Sequence, residues 1–294
     1  MKDFVIMTDS DTEIPYSFAL EHEIPVFLMP YTIDGEEKLY DLGYKTDLTD
    51  FYNRVANGSE VSTATRSPED IKEFYEKILE QGKDVLYLCF SSALSGHYNL
   101  ACMAAKEALE NYPDSRIEIV DTLGISMGAG LIVYNAVIKK EEGQSLDDIK
   151  KWVEDNRLRA LHYFSVDDLM YLKRTGRLSS VSAALGTLLK LKPILKCDKE
   201  GKIVVCDKVK GSKSILKYFL KVVEDNYDEN DETTTRVMSI LHANNLEAAQ
   251  AFKDIIEERF NFEDIILQEV GPVIGAHTGP GVVAFLMMGK AENR

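Results

Sequence analysis

The sequence predicts an α/β protein: a parallel three-layer α/β/α N-terminal domain with a small β-hairpin insertion, followed by a two-layer α/β domain. Three observations lead there. Short apolar runs ending in polar loops alternate with helix-like segments through the first 150 of 294 residues; Asp34-Gly35 interrupts that alternation; and strand-like runs outnumber helices afterwards. Alternation of β and α implies a parallel sheet covered on both faces, and Asp-Gly between apolar stretches is a strong hairpin signal.

In order, Phe4 to Met7 reads as a first strand ending in Thr8-Asp9-Ser10-Asp11. Residues 24–28 and 39–41 read as arms around Asp34-Gly35, an insertion covering about 24–42. A helix is predicted from Pro68 to about Gln81, with Ser67 as N-cap and Asp70 completing a capping box. The charge-free run Val85 to Phe90 reads as a strand buried on both faces, and residues 99–110 as the helix after it. A strand at 117–122 and helices at 127–140 and 145–156 complete the first domain, 1–156, with Gly124, Gly128 and Gly130 read as sites of close helix packing. The second domain, 157–294, carries predicted strands at 161–164, 203–209, 236–242, 265–270 and 282–288, and helices at 180–190, 214–225 and 246–260.

Composition narrows the function. The net charge of −15 lacks the basic footprint that nucleic acid requires. Residues 171–221 nevertheless hold eleven Lys and two Arg against three acids, a local +10 that leaves −25 elsewhere, so an anionic ligand or acidic partner is expected near them. No apolar run reaches the roughly 18 residues of a membrane span. Met1 is followed within a few residues by polar Thr8 to Asp11, so a cytoplasmic location is expected. Cys89, Cys102, Cys197 and Cys206 are widely spaced with no C-x-x-C pair, which reads as reduced thiols and no metal site. Walker A and G-x-G-x-x-G patterns are absent, so no nucleotide cofactor is expected.

Ser91-Ser92-Ala93-Leu94-Ser95-Gly96 lies at the carboxyl end of the apolar run, where open α/β sheets bind ligands and where helix N-termini attract anions. It fits an anion loop and a helix-capping loop equally. Val61 to Pro68 is a second hydroxyl-rich approach to a helix, placing Thr63 opposite Ser95. His277 stands among Gly275, Gly279 and Gly281, which reads as a loop that is either structural or a third site element. Arg174 and Arg177 form a cationic turn before an apolar stretch, suiting a ligand with an acidic head and an apolar body. The same polar residues allow a second reading, a serine hydrolase with Ser91 or Ser95, His277 and Asp9 or Asp121; the absence of G-x-S-x-G weighs against it.

Thr8-Asp9-Ser10, the Thr63 to Asp70 segment, Ser91 to Asn99, Val120-Asp121-Thr122, Arg174 to Ser179, Leu191 to Leu195 and His277 to Gly281 occur in an order that resembles the DegV family of fatty-acid-binding proteins. The resemblance covers nearly the whole chain. It implies a second domain with a mixed sheet, an acyl chain held between the domains, and a carboxylate held by Thr63, Ser95, His277 and Arg177, with Ser92, Gly96, His97 and Thr278 as secondary contacts. It also implies a bacterial, non-catalytic lipid carrier whose bound acid is phosphorylated on its carboxylate by a separate ATP-binding kinase subunit. Arg174, Lys208, Lys210 and Lys213 would dock that subunit, and transient membrane contact is compatible with such a carrier. Three departures stand out: Ala64 and Arg66 where the family often has serine and proline, His97 where it usually has threonine, and lysines at 208 and 210 in place of arginines.

Overall fold

The computed structural model describes residues 2–178 and 191–294. The expected helix at 180–190 lies outside the described residues.

Strands β1 (Phe4–Asp9), β2 (Val26–Phe27), β6 (Asp84–Cys89) and β7 (Ile117–Asp121) form a parallel sheet in the order β2-β1-β6-β7. Every residue of β6 is buried, as a central strand of a parallel sheet requires, and the one charged residue, Asp84 at its start, is ion-paired with Lys2. Helices α3 (Pro68–Leu79) and α4 (His97–Asn111) cover one face. The Ser67–Asp70 capping box that starts α3 is present as expected. Helix α5 (Ser126–Glu141) covers the other face, with α6 (Leu146–Asn156) beside it.

The later strands are β8 (Ala160–Ser165), β9 (Lys192–Cys197), β10 (Ile203–Val209), β11 (Val237–His242), β12 (Asp264–Glu269) and β13 (Val283–Met288). They form one mixed sheet in the order β10-β9-β8-β13-β11-β12, parallel only between β11 and β12. Helices α8 (Ser212–Asn226) and α9 (Leu246–Arg259) pack on one face. Along β13, Val283, Phe285 and Met287 join the core under those helices, while Ala284, Leu286 and Met288 point to the opposite side. That opposite side meets α5, which therefore lies between the two sheets. Buried positions all around α5 follow from this, since a helix with apolar neighbours on both sides has no solvent face. At Gly128 a Cβ would fall 1.9 Å from His162 Nε2 of β8, so α5 approaches the mixed sheet closely only because this position lacks a side chain.

Strand β9 is a sixth strand, beyond the five that the residue pattern predicts. Its Lys192-Pro193 start is unpromising for a ladder, but β8 pairs only with Leu195 and Lys196, so the missing N–H of Pro193 is not needed there. The hairpin insertion is also corrected. Asp34 and Gly35 do form the turn, both with positive φ as a two-residue hairpin loop demands, but its arms are β3 (Pro30–Ile33) and β4 (Glu36–Leu39). Val26–Phe27 belongs to the main sheet beside β1 instead, and β5 (Val61–Thr63) completes a separate three-stranded sheet, β4-β3-β5. Four short helices also escape periodicity: α1 (Tyr16–Glu21), α2 (Leu48–Ala56), α7 (Met170–Arg174) and α10 (Pro272–Thr278). Segments of five to nine residues span too few turns to show a 3.6-residue pattern.

Candidate functional site

One cleft, with about 1020 Å³ of empty space including its open mouth, is lined by residues of the mixed sheet, of β5, of α5, α7 and α10, and of the loop after β6. Its wall is mainly apolar: Phe90 and Leu94 after β6, Ile125 before α5, Leu172 of α7, Val273 and Ile274 of α10, and Ala284 and Leu286 of β13. The β13 residues face this way because the other half of that strand's side chains fills the core under α8 and α9.

The polar groups at this wall come from distant parts of the chain. Thr63, the last residue of β5, has its Oγ1 2.9 Å from His277 Nε2. His277 lies in the last turn of α10, which corrects the expectation of a glycine-framed loop; the glycines serve packing and the exit from the helix. At Gly275 a Cβ would come within 2.6 Å of the Tyr52 hydroxyl, and that hydroxyl donates to Val270 O at 2.8 Å. The α2 contact thus fixes the small helix that carries the imidazole. Burial, with help from the nearby Arg177 guanidinium, pushes His277 down to about 4, so the ring is neutral at pH 7. Its Nδ1 is buried without a partner among the described residues.

Arg177 also lines the cleft, with Nη1 donating to Thr175 O at 2.5 Å and its other donors without a partner among the described residues. Ser95 Oγ accepts the His97 N–H at 3.2 Å, which leaves its hydroxyl hydrogen free to donate. Thr63, Ser95, Arg177 and His277 therefore all border one cavity, together with Gly96 and Thr278. Ser92 and His97 do not border it. Ser92 is exposed, with its N–H held by Asp121 Oδ1 at 3.2 Å. His97 is buried and turned inward, its Nε2 2.7 Å from the Tyr87 hydroxyl, which donates to Asp9 Oδ2 at 2.9 Å. Its ring stacks on Phe27, which also carries the Arg66 guanidinium, 4.7 Å from the ring centroid. Two of the sequence departures, Arg66 and His97, thus share one aromatic residue.

The triad alternative is not assembled. His277 bonds a threonine, Ser91 Oγ donates to Gly201 O at 3.0 Å, and Asp121 Oδ1 accepts the N–H groups of Ser92 and Leu123. Asp9, Cys89 and His97 bring ligand-type atoms within 4.8 Å of one another, but Tyr87 bonds both Asp9 and His97, and burial holds the Cys89 thiol protonated.

A second polar group at the cleft was missed by sequence reasoning. Asp11 and Ser126 line it, beside the turn that follows β1. Glu13 in that turn accepts a hydrogen bond from Ser126 Oγ and another from the Gly271 N–H, and burial raises its carboxyl to about 7. Glu13 and Ser126 both sit in the left-handed backbone region, at φ 53° and 48°. The signal available in the sequence was Asp9, Asp11 and Glu13 at alternate positions after an apolar strand. Of the four proposed docking cations, Arg174 ends α7, Lys208 and Lys210 lie at the end of β10, and Lys213 lies in the first turn of α8; Arg174, Lys210 and Lys213 are exposed.

Residues 3–290 match the family model described as "Uncharacterised protein, DegV family". The chain belongs to the DegV family. A DegV domain-containing protein of Clostridium perfringens is 39% identical over 99% of both chains. Among solved structures, a DegV family protein from Thermus thermophilus described by its fatty acid binding superposes with a TM-score of 0.86 at 30% identity, over 99% of this chain and 100% of that one. DegV from Bacillus subtilis, described as a fatty acid binding protein, gives 0.82 at 26% identity, over 99% of this chain and 100% of that one. The DegV fold is thereby established for this chain, and no helix among the described residues is long and apolar enough to cross a membrane.

Proposed function

We propose that this DegV chain binds a long-chain fatty acid between its two units, residues 1–156 and 157–294. It then presents the carboxylate to a separate ATP-dependent kinase subunit. The observation that carries the reading is the apolar cleft with a hydroxyl–imidazole pair and a guanidinium at its wall, which matches an amphiphile with an acidic head. Relatives described as fatty-acid-binding proteins support it.

Magnitudes divide the labour. Burying about fourteen methylenes at ~0.8 kcal/mol each is worth roughly 11 kcal/mol gross, whereas a charge-assisted hydrogen bond nets about 1.5–3 kcal/mol. The tail sets affinity. Thr63, Ser95, Arg177 and His277 set orientation, holding the carboxylate so that one oxygen can attack the γ-phosphate of ATP on the kinase subunit, with ADP leaving and an acyl phosphate forming. Arg174, Lys208, Lys210 and Lys213 supply the basic docking surface, and the chain works in the cytoplasm as a carrier without a cofactor of its own, touching membranes transiently to collect or deliver its ligand. The test is mass spectrometry of an organic extract of the purified protein, paired with an acyl-ester hydrolysis assay. A co-purified long-chain fatty acid and no hydrolysis is the expected result; an empty extract with esterase activity lost in Ser95→Ala overturns the reading.

A further inference from the structure

We propose that Asp11 forms a second polar subsite inside the acyl cleft, one that recognises a hydroxyl or keto group carried along the chain of the bound acid. The ligand class is thereby narrowed to long-chain acids with an oxygen function away from the carboxylate. This rests on the fatty-acid reading above.

Asp11 is only 5% exposed and borders the cleft, yet its Oδ1 is buried without a hydrogen-bond partner among the described residues. Its neighbours are satisfied. Asp9 accepts from the Tyr87 hydroxyl and from the N–H groups of Phe90 and Asp11, and Glu13 accepts from Ser126 and Gly271. The Asp9 bond to the Asp11 backbone N–H fixes the turn but leaves the Asp11 carboxyl unengaged. A buried polar group without a partner carries its full desolvation penalty, so Asp11 opposes folding unless something in the cleft pairs with it.

The protonation state says what that partner is. Burial, reinforced by the carboxyls of Asp9 and Glu13, holds Asp11 well above the ordinary carboxylate range. A neutral carboxyl offers one O–H donor and an acceptor oxygen; a chain hydroxyl satisfies both, a keto oxygen takes the donor, and a methylene satisfies neither.

The subsite is separate from the carboxylate end. Glu13, two residues from Asp11, holds the Gly271 N–H at the start of α10, whereas His277 lies six residues further on, about 9 Å along a helix. The two polar groups therefore flank opposite ends of α10, and a chain bound by its carboxylate at His277 passes Asp11 with its interior.

The experiment is calorimetric titration of delipidated protein with stearic acid and with hydroxystearic acids substituted at successive chain positions. The wild-type chain is expected to bind at least one positional isomer about 3- to 10-fold more tightly than stearic acid. Asp11→Leu should erase that preference, bind stearic acid at least as well, and melt at a higher temperature; Asp11→Asn, which keeps a donor and an acceptor, should retain the preference. Asp11→Ala gives the same answer as Asp11→Leu should the larger side chain prevent folding. Stearic acid binding with no isomer preferred, or a preference that survives Asp11→Leu and Asp11→Ala, overturns the subsite and leaves the fatty-acid reading standing. Failure of every acid to bind overturns both.

Discussion

The two polar ends of the cleft answer burial in opposite ways. At one end Thr63, Arg177 and His277 converge from three distant parts of the chain, and at the other Asp9, Asp11 and Glu13 come from a single turn. Burial favours the neutral form of both, pushing His277 down to about 4 and Glu13 up to about 7. The difference is the cation. The Arg177 guanidinium lies beside the neutral imidazole, so that end attracts an anion, whereas burial and the carboxyls of Asp9 and Glu13 hold Asp11 well above the ordinary carboxylate range. One sort of end holds a charge; the other holds a neutral oxygen.

The largest expected effect comes from removing what both ends share. Ala284→Phe, filling the cleft wall on β13, should displace about four methylenes, cost roughly 3 kcal/mol and weaken fatty-acid binding more than a hundredfold, read by titration of delipidated protein. Were binding unchanged, the acyl chain would lie elsewhere and the comparison of ends would lose its meaning.

Acidity contrasts the ends next. Glu13 is raised, so between pH 4.5 and about 7 the folded state binds more protons than the unfolded one and stability falls as pH rises. For His277, lowered from 6.5 to about 4, the unfolded state binds more protons in that window and stability rises with pH. The two trends oppose each other over pH 4.5–6.5. Glu13→Gln should remove that residue's share of the falling trend, worth up to about 3 kcal/mol, and make the melting temperature fall less steeply with pH, while the raised carboxyls of Asp9 and Asp11 keep theirs.

Arg177→Gln removes the cation that distinguishes the ends. Fatty-acid affinity should fall about 10- to 100-fold, while the corresponding fatty alcohol binds as before. Equal losses for acid and alcohol would mean that Arg177 supports the fold and not the charge. The smallest binding change belongs to Ser95→Ala, about tenfold, the low end of what one hydroxyl bond to a carboxylate nets at about 1.5 kcal/mol. Acyl phosphate formation with the kinase subunit should fall more than binding does, since misorientation of the carboxylate is felt by the attacking oxygen.

Much of this contrast is legible in the sequence. Thr63, Ser95, Arg177 and His277 each stand in a short polar segment whose order along the chain marks the family, and all four border the cleft. His97 is legible as a departure but not as a buried residue, because its direction depends on Tyr87 and Phe27 beside it. Asp11 shows in the sequence only as one more polar residue after a strand. Its lack of a partner is a property of everything around it, which no local pattern encodes.

Residue order along the chain was enough for the alternation that makes the parallel sheet, the Asp34-Gly35 turn, the capping box at Ser67, and the family, because these depend on residues within a turn or two of one another or on the succession of segments. Packing settled the rest: that α5 lies between two sheets, that residues 26–27 join β1, that His277 rides a seven-residue helix fixed by Tyr52, and that Asp11 is the unpaired acid in the cleft among the described residues. The physical reason is range. Propensity and capping act over a few residues, whereas desolvation, hydrogen-bond satisfaction and close approach are governed by whichever distant segments pack against a group.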